Sequence, residues 1–127
     1  MSDIRQPYVR QSGEHLWPHA SGPAPFSVVP LEHARGLRLV GELDLSTVEA
    51  LRAVLDTLPA DANVLDLAEL SFMDASGLHA LEQYASSLNG AGPLVLEHVP
   101  AQVRRLFQIT GAELDPDIEL HSGAARG

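Results

Sequence analysis

Three side chains that could perform hydrolytic chemistry lie close together in the middle of the chain: Asp74, Ser76 and His79. A serine between a strand and a helix is the position of a nucleophile elbow, but that turn has the pattern Gly-x-Ser-x-Gly, and its first glycine is missing here. A histidine three residues after the serine on the same helix seldom directs a ring nitrogen at the hydroxyl in attack geometry. We therefore favour an exposed helical position for His79 over a catalytic one, and no catalytic residue is predicted.

Metal and cofactor chemistry has even less support in the sequence. The six histidines are scattered, and the only close pair, His15 and His19, flanks Pro18, so no helix can be counted on to align it. The chain has no cysteine, and it lacks both the Walker and the dinucleotide-binding glycine patterns. We predict no metal site and no cofactor.

The segment around Asp74 and Ser76 has two other interpretations. Asp74 is placed to cap a helix by accepting hydrogen bonds from backbone N–H groups two or three residues later. Alternatively, the exposed donors at the helix start and the nearby hydroxyl form a surface where phosphate would alter binding without disturbing the fold. The residues alone leave both interpretations open.

The elements that position this segment follow from apolar periodicity and from turn residues. Either Ser46 or Thr47 can cap the first helix, with Glu49 completing a capping box if the cap is Ser46, and Pro59 is expected to end the helix. Pro30 predicts that the first strand lies at an edge or breaks there. The predicted order is β-β-α-β-α-β-α, with strands at 26–32, 37–43, 63–70 and 94–98, helices at 47–58, 76–88 and 100–111, and an optional last strand at 117–120.

Length and composition indicate one α/β domain. The chain has 127 residues, and domains commonly contain about 100 to 150. Residues 1–25 are rich in Pro and have no sustained apolar period, so we predict a flexible tail there, a domain at 26–120 and a frayed C-terminus at 121–127.

Charge and hydropathy limit the partners. The formal net charge is −9, with eight arginines and no lysine, which disfavours nucleic acid and anionic membranes. No apolar stretch approaches the roughly 18 to 20 residues of a membrane helix, and no secretory signal is evident. We expect a cytoplasmic protein that binds neither nucleic acid nor membrane.

Three segments resemble the STAS family, the domain shared by anti-sigma factor antagonists and the tails of sulfate transporters. They are GELDLST at 41–47, VLDLAELSFMDASGLHAL at 64–81 and VRRLFQITG at 103–111. Because no membrane segment is present, the antagonist branch is the nearer match. The resemblance implies a single α/β domain with a central mixed sheet, helices mainly on one side, and a binding surface around the start of the second helix.

The resemblance also implies a partner and a site. Antagonists of this family bind an anti-sigma factor that is a serine kinase, which frees the sigma factor, and they are released when phosphorylated on the Ser or Thr directly after the aspartate. That position is Ala75 in this chain, and Ser76 matches the following position, which is not the usual acceptor. We therefore predict an antagonist that is not switched at this turn. The predicted partner-binding residues are Asp44, Asp74, Ala75, Ser76, Gly77 and Leu78.

Alternatives remain for the family surface. The same domain could be a non-phosphorylatable binding module, either a scaffold in a sensor complex or a site for a small ligand. Asp44 matches a recurring family position near the binding face, but it is equally suited to helix entry. Arg104 and Arg105 resemble a basic pair in the third helix of the family, although a solvated face is favoured for them.

Overall fold

The computed structural model describes residues 26–32, 35–88, 90 and 92–122. The predicted tail, 1–25, lies outside the described residues, as does most of the predicted C-terminus. The last strand extends to Ser122, two residues beyond the predicted end of the domain. In chain order the elements are β1 (Phe26–Pro30), β2 (Gly36–Leu43), α1 (Val48–Leu55), β3 (Val64–Met73), α2 (Ala75–Ser87), β4 (Leu94–Val99), α3 (Ala101–Thr110), a short 3₁₀ turn (Ala112–Leu114) and β5 (Ile118–Ser122).

The five strands form one mixed sheet in the order β1-β2-β3-β4-β5. The first two strands pair antiparallel, which confirms the predicted hairpin, and all the later pairs are parallel. β1 is an edge strand that ends at Pro30, as the missing N–H donor of proline predicts. The parallel strands end at one edge of the sheet, where the loops into α1, α2 and α3 begin.

β3 is longer than predicted, and two irregularities explain the difference. The register with β2 shifts between Arg38 and Val40 and again between Gly41 and Glu42. Each shift inserts one extra residue into β3, so its buried apolar side chains are spaced by two, three and three residues instead of alternating. The predicted strand 63–70 therefore stops short of Met73, the true end of β3.

All three helices pack against one face of the sheet. One cluster of buried apolar side chains unites that face with the helices, as the family resemblance implied. Residues of this cluster are Leu39, Leu65 and Leu96 on the strands, Val48 and Leu51 on α1, Leu78 and Leu81 on α2, and Val103 and Phe107 on α3.

The first helix starts at one of its two predicted caps and ends earlier than predicted. Its N-cap is Thr47, one of the two predicted caps, although the Thr47 side chain makes no capping bond; the alternative capping box of Ser46 and Glu49 is wrong. The α-helix ends at Leu55 instead of at Pro59, because the backbone N–H groups of Thr57 and Leu58 donate to carbonyls three residues earlier, at 3.0 and 3.2 Å, and so form tighter turns. Within the described residues, no helix is both long and apolar enough to cross a membrane.

Candidate functional site

The predicted site residues meet at the edge of the sheet where β2 and β3 end. Leu43 and Met73, the last residues of these strands, are register partners. Asp44 and Asp74 follow them directly, so two residues that are 30 positions apart in the sequence start neighbouring loops. The β2–α1 loop and the β3–α2 turn form a single surface for this reason.

Asp74 caps α2, as the sequence predicted. Its Oδ1 accepts hydrogen bonds from the backbone N–H groups of Ser76 at 2.9 Å and Gly77 at 3.2 Å. The Ser76 hydroxyl also donates to this oxygen, at 2.5 Å. The hydroxyl of Ser76 is thus directed into the cap.

The second oxygen of Asp74 joins the two loops. Oδ2 accepts a hydrogen bond from the backbone N–H of Leu45 at 3.3 Å, and the Asp74 N–H donates to the Leu43 carbonyl at 3.1 Å. One aspartate therefore fixes both the start of α2 and the position of the β2–α1 loop.

The hydrogen bonds of Asp74 also determine its electrostatics. Burial by itself would raise the pKa of the carboxyl group, but the Ser76 hydroxyl and the N–H groups of Gly77, Ser76 and Leu45 outweigh burial and hold the pKa below its usual value. Asp74 is therefore a fixed negative charge at physiological pH.

The β2–α1 loop is held by its own side chains. Asp44 Oδ1 accepts from the N–H of Ser46 at 2.9 Å and from its hydroxyl at 2.7 Å. Thr47 is buried, and its hydroxyl donates to the Glu42 carbonyl at 2.8 Å. These contacts leave the Leu45 side chain outside, where it is 76% exposed.

Two of the predicted site residues lie beneath the surface. Leu78 is 2% exposed and belongs to the core. A Cβ atom added to Gly77 would lie 2.8 Å from Leu43 Cγ and 3.0 Å from Met73 Cγ. Gly77 is therefore the residue that lets the first turn of α2 approach the ends of both strands, and both residues support the turn from within.

Ala75 lies above them, exposed at the first position of α2. It is the residue directly after the cap, the position at which the resemblance described above implies an acceptor hydroxyl. Its methyl group offers no atom to which a phosphoryl group could be transferred.

The hydrolase interpretation gains nothing from the geometry. The Ser76 hydroxyl donates to Asp74, and His79 is exposed and makes no hydrogen bond to Ser76 in the described structure. Over the same residues, no group of three or more His, Asp or Glu side chains could hold a metal ion. The predicted pair His15 and His19 lies outside the described residues.

Gln102 on α3 is a positioning residue that the sequence analysis missed. Its amide accepts from the N–H of Met73 and donates to the carbonyl of Met73, both at 2.9 Å. β4 pairs with β3 only from Val64 to Asp66, so Gln102 takes the place of a neighbouring strand at the end of β3. It therefore fixes the backbone directly before Asp74.

Comparisons with known proteins agree with this architecture. The STAS domain family model matches residues 28–125. An anti-sigma factor antagonist from Mycobacterium paratuberculosis superposes with a TM-score of 0.60 at 22% identity, covering 78% of this chain and 89% of the other. The anti-sigma factor antagonist SpoIIAA, in its unphosphorylated form, gives a TM-score of 0.54 at 24% identity, covering 79% and 89%. At these identities, the structural likeness establishes a shared fold.

Proposed function

The chain belongs to the STAS domain family, and on this premise we propose that it acts as an anti-sigma factor antagonist. In this proposal it binds a serine-kinase-type anti-sigma factor in the bacterial cytoplasm and thereby releases a sigma factor. The family match and the shared fold with two proteins named as antagonists support this assignment. The chain would act by binding and would contribute no catalytic group.

The docking surface in this proposal consists of Asp44, Leu45, Asp74, Ala75 and Ser76, with Gly77 and Leu78 supporting it from beneath. Neither aspartate forms an ion pair with another described residue, so neither negative charge is neutralised within that part of the chain. Leu45 adds an exposed apolar side chain between them. A partner that fits this surface has an apolar recess bordered by Lys or Arg side chains.

The proposed antagonist is not inactivated by phosphorylation at this turn. The observation that carries this point is the arrangement of Ala75 and Ser76: the former has no hydroxyl, and the hydroxyl of the latter lies 2.5 Å from an Asp74 carboxylate oxygen. Phosphate on Ser76 would bring about −1.5 to −2 charges against that carboxylate. It would also disrupt the cap of α2.

Calorimetric titration tests the proposed binding. The purified chain is titrated into each kinase-type anti-sigma factor of its own genome, with nucleotide present, and we expect one of them to bind with submicromolar affinity. Leu45→Asp should weaken that binding by about tenfold or more, because it removes an apolar contact and adds charge.

Leu114→Asp is the matched control for this titration. Leu114 is 81% exposed but lies in the 3₁₀ turn that precedes β5, at the opposite edge of the sheet. Its replacement should leave the affinity unchanged. Absence of binding across the complete set of anti-sigma factors would refute the proposed function.

A further inference from the structure

A cleft lined by both charged and apolar side chains lies on the face of the sheet opposite the helices, away from the proposed docking surface. Its volume is about 430 Å³, within the range of small-molecule sites. Its lining residues are Val29, Pro30, Leu31, Glu32, Arg38, Asp66, Glu97 and His98.

The cleft is built on one row of the sheet. Val29 is the register partner of Arg38, Arg38 of Asp66, and Asp66 of Glu97. Side chains in one row across a sheet point to the same face, so this row places an apolar, a cationic and two anionic residues side by side over four strands.

Asp66 lies in the centre of the row, and both of its carboxylate oxygens are hydrogen-bonded within the protein. Its side chain is only 6% exposed. Oδ1 accepts from the Ala68 N–H at 2.9 Å and contacts His98 Nδ1 at 3.0 Å, while Oδ2 accepts from Nε and Nη2 of Arg38, both at 3.3 Å. Asp66 therefore orients Arg38 and His98 and has little capacity left for a ligand.

Both side chains that Asp66 orients, Arg38 and His98, retain hydrogen-bonding groups that no described residue uses. Arg38 leaves Nη1 without a partner among the described residues, and the edge formed by Nη1 and Nη2 can donate two hydrogen bonds to a carboxylate. His98 leaves Nε2 unpaired within the same part of the chain, and its side chain is 53% exposed. The backbone of His98 has φ of 56°, a conformation uncommon outside glycine, at an irregularity in β4 that brings its ring to Asp66.

Glu97 determines which ligand charge the cleft accepts. Its carboxylate makes no hydrogen bond or ion pair with another described residue. A simple anion at Arg38 would be repelled by Glu97 and by Glu32, which also lines the cleft, and a simple cation at Glu97 would leave Nη1 of Arg38 without an anionic partner. A molecule with both charges a few Å apart satisfies both side chains, and Val29, Pro30 and Leu31 provide an apolar wall beside them.

We infer that this cleft binds a small zwitterion with an apolar side chain, of the α-amino acid class. The ligand carboxylate pairs with Arg38 and the ammonium group with Glu97, while the apolar part lies against the end of β1. This site is independent of the docking surface and of any anti-sigma factor.

The test uses the full chain, isotope-labelled, in NMR titrations with three probes of one shape. L-leucine has both charges, 4-methylpentanoate has only the carboxylate, and 3-methylbutylamine has only the ammonium group. We expect saturable shifts at the amides of Arg38, Asp66 and His98 with leucine, and binding weaker by about tenfold or more with each of the others, because each loses one charged contact.

Glu97→Gln provides the decisive variant and Glu69→Gln its control, since Glu69 is an exposed carboxylate further along β3. Glu97→Gln should weaken leucine binding by about tenfold, because the ammonium group loses its anionic partner. It should strengthen 4-methylpentanoate binding, because a charge that repels the carboxylate is removed. The control should change neither. Unsaturable shifts with leucine, shifts outside the cleft only, or equal leucine affinity in Glu97→Gln would overturn the inference.

Discussion

The proposed docking surface depends more on Asp74 than on any of its other residues. One oxygen caps α2 and the other holds the backbone of Leu45, so a single side chain connects two loops. An N-terminal cap contributes about 1 kcal/mol to stability. The larger consequence is that loss of this carboxylate would disconnect the β2–α1 loop from the turn that it accompanies.

Acid should weaken the fold through Asp74 and Asp66. Burial would raise the pKa of Asp66, but the Ala68 N–H, His98 and Arg38 together lower it below the ordinary value of 3.8. The pKa of Asp74 is lowered in the same way by the hydrogen bonds that its carboxylate accepts. The folded state then binds fewer protons than the unfolded chain in acid. Their stabilisation is therefore complete above the unfolded pKa and is lost as pH falls through the folded pKa.

The measurement is urea unfolding at several values between about pH 7 and about pH 3, in wild type, Asp66→Asn and Asp74→Asn. Each variant should be less stable near neutrality and should lose less stability on acidification. Asp56→Asn, which changes an exposed carboxyl on the far end of α1, is the control. Wild-type acid sensitivity in both test variants would contradict the role given to these aspartates.

At the scale of the elements, the close approach of α2 to the strand ends depends on Gly77. Alanine favours helix more than glycine, so Gly77→Ala would be stabilising on propensity alone. The added Cβ would however meet Leu43 and Met73 at 3.0 Å or less, and such overpacking costs about 1 to 3 kcal/mol.

Thermal and urea unfolding check this prediction. Ser86→Ala, at an exposed position of α2, is the control and should be neutral or slightly stabilising. A Gly77→Ala protein as stable as wild type would show that α2 can move away from the strands at little cost.

The contact between α3 and the end of β3 gives a second element-scale prediction. Gln102→Leu would leave the N–H and C=O of Met73 unpaired, which costs about 1 to 3 kcal/mol when such groups are buried. Gln108→Leu, on an exposed part of α3, is the matched control. Equal midpoints of urea unfolding in the two variants would show that water replaces Gln102 without loss.

Element order was predictable because local patterns determine it. The cap at Asp74, the edge position of β1 and the Gly after α3 all follow from the residues themselves, and all are present. The end of β3 was not predictable, since its two irregularities depend on the register with β2. Gln102 was missed for a similar reason: its partner is 29 residues away and is a backbone group, which leaves no pattern in the sequence.

At the scale of the whole molecule, the two proposed sites lie on different parts of the sheet. The helices cover one face and, with the strand ends, form the proposed docking surface, while the opposite face holds the cleft around Asp66. If both proposals hold, a small zwitterion and a protein partner bind the same domain at different places. Binding of the protein partner would then not be controlled by phosphorylation at Ala75 or Ser76.

The most direct test of the central proposal follows phosphate and complex together. Wild type, Ser76→Ala and Ala75→Ser are each incubated with the bound kinase-type anti-sigma factor and ATP, and intact mass and complex fraction are recorded over time. We predict that wild type and Ser76→Ala stay bound and unmodified, whereas Ala75→Ser acquires one phosphate and dissociates. Phosphate on Ser76 of the wild type, or an Ala75→Ser protein that binds but is never modified, would contradict this account.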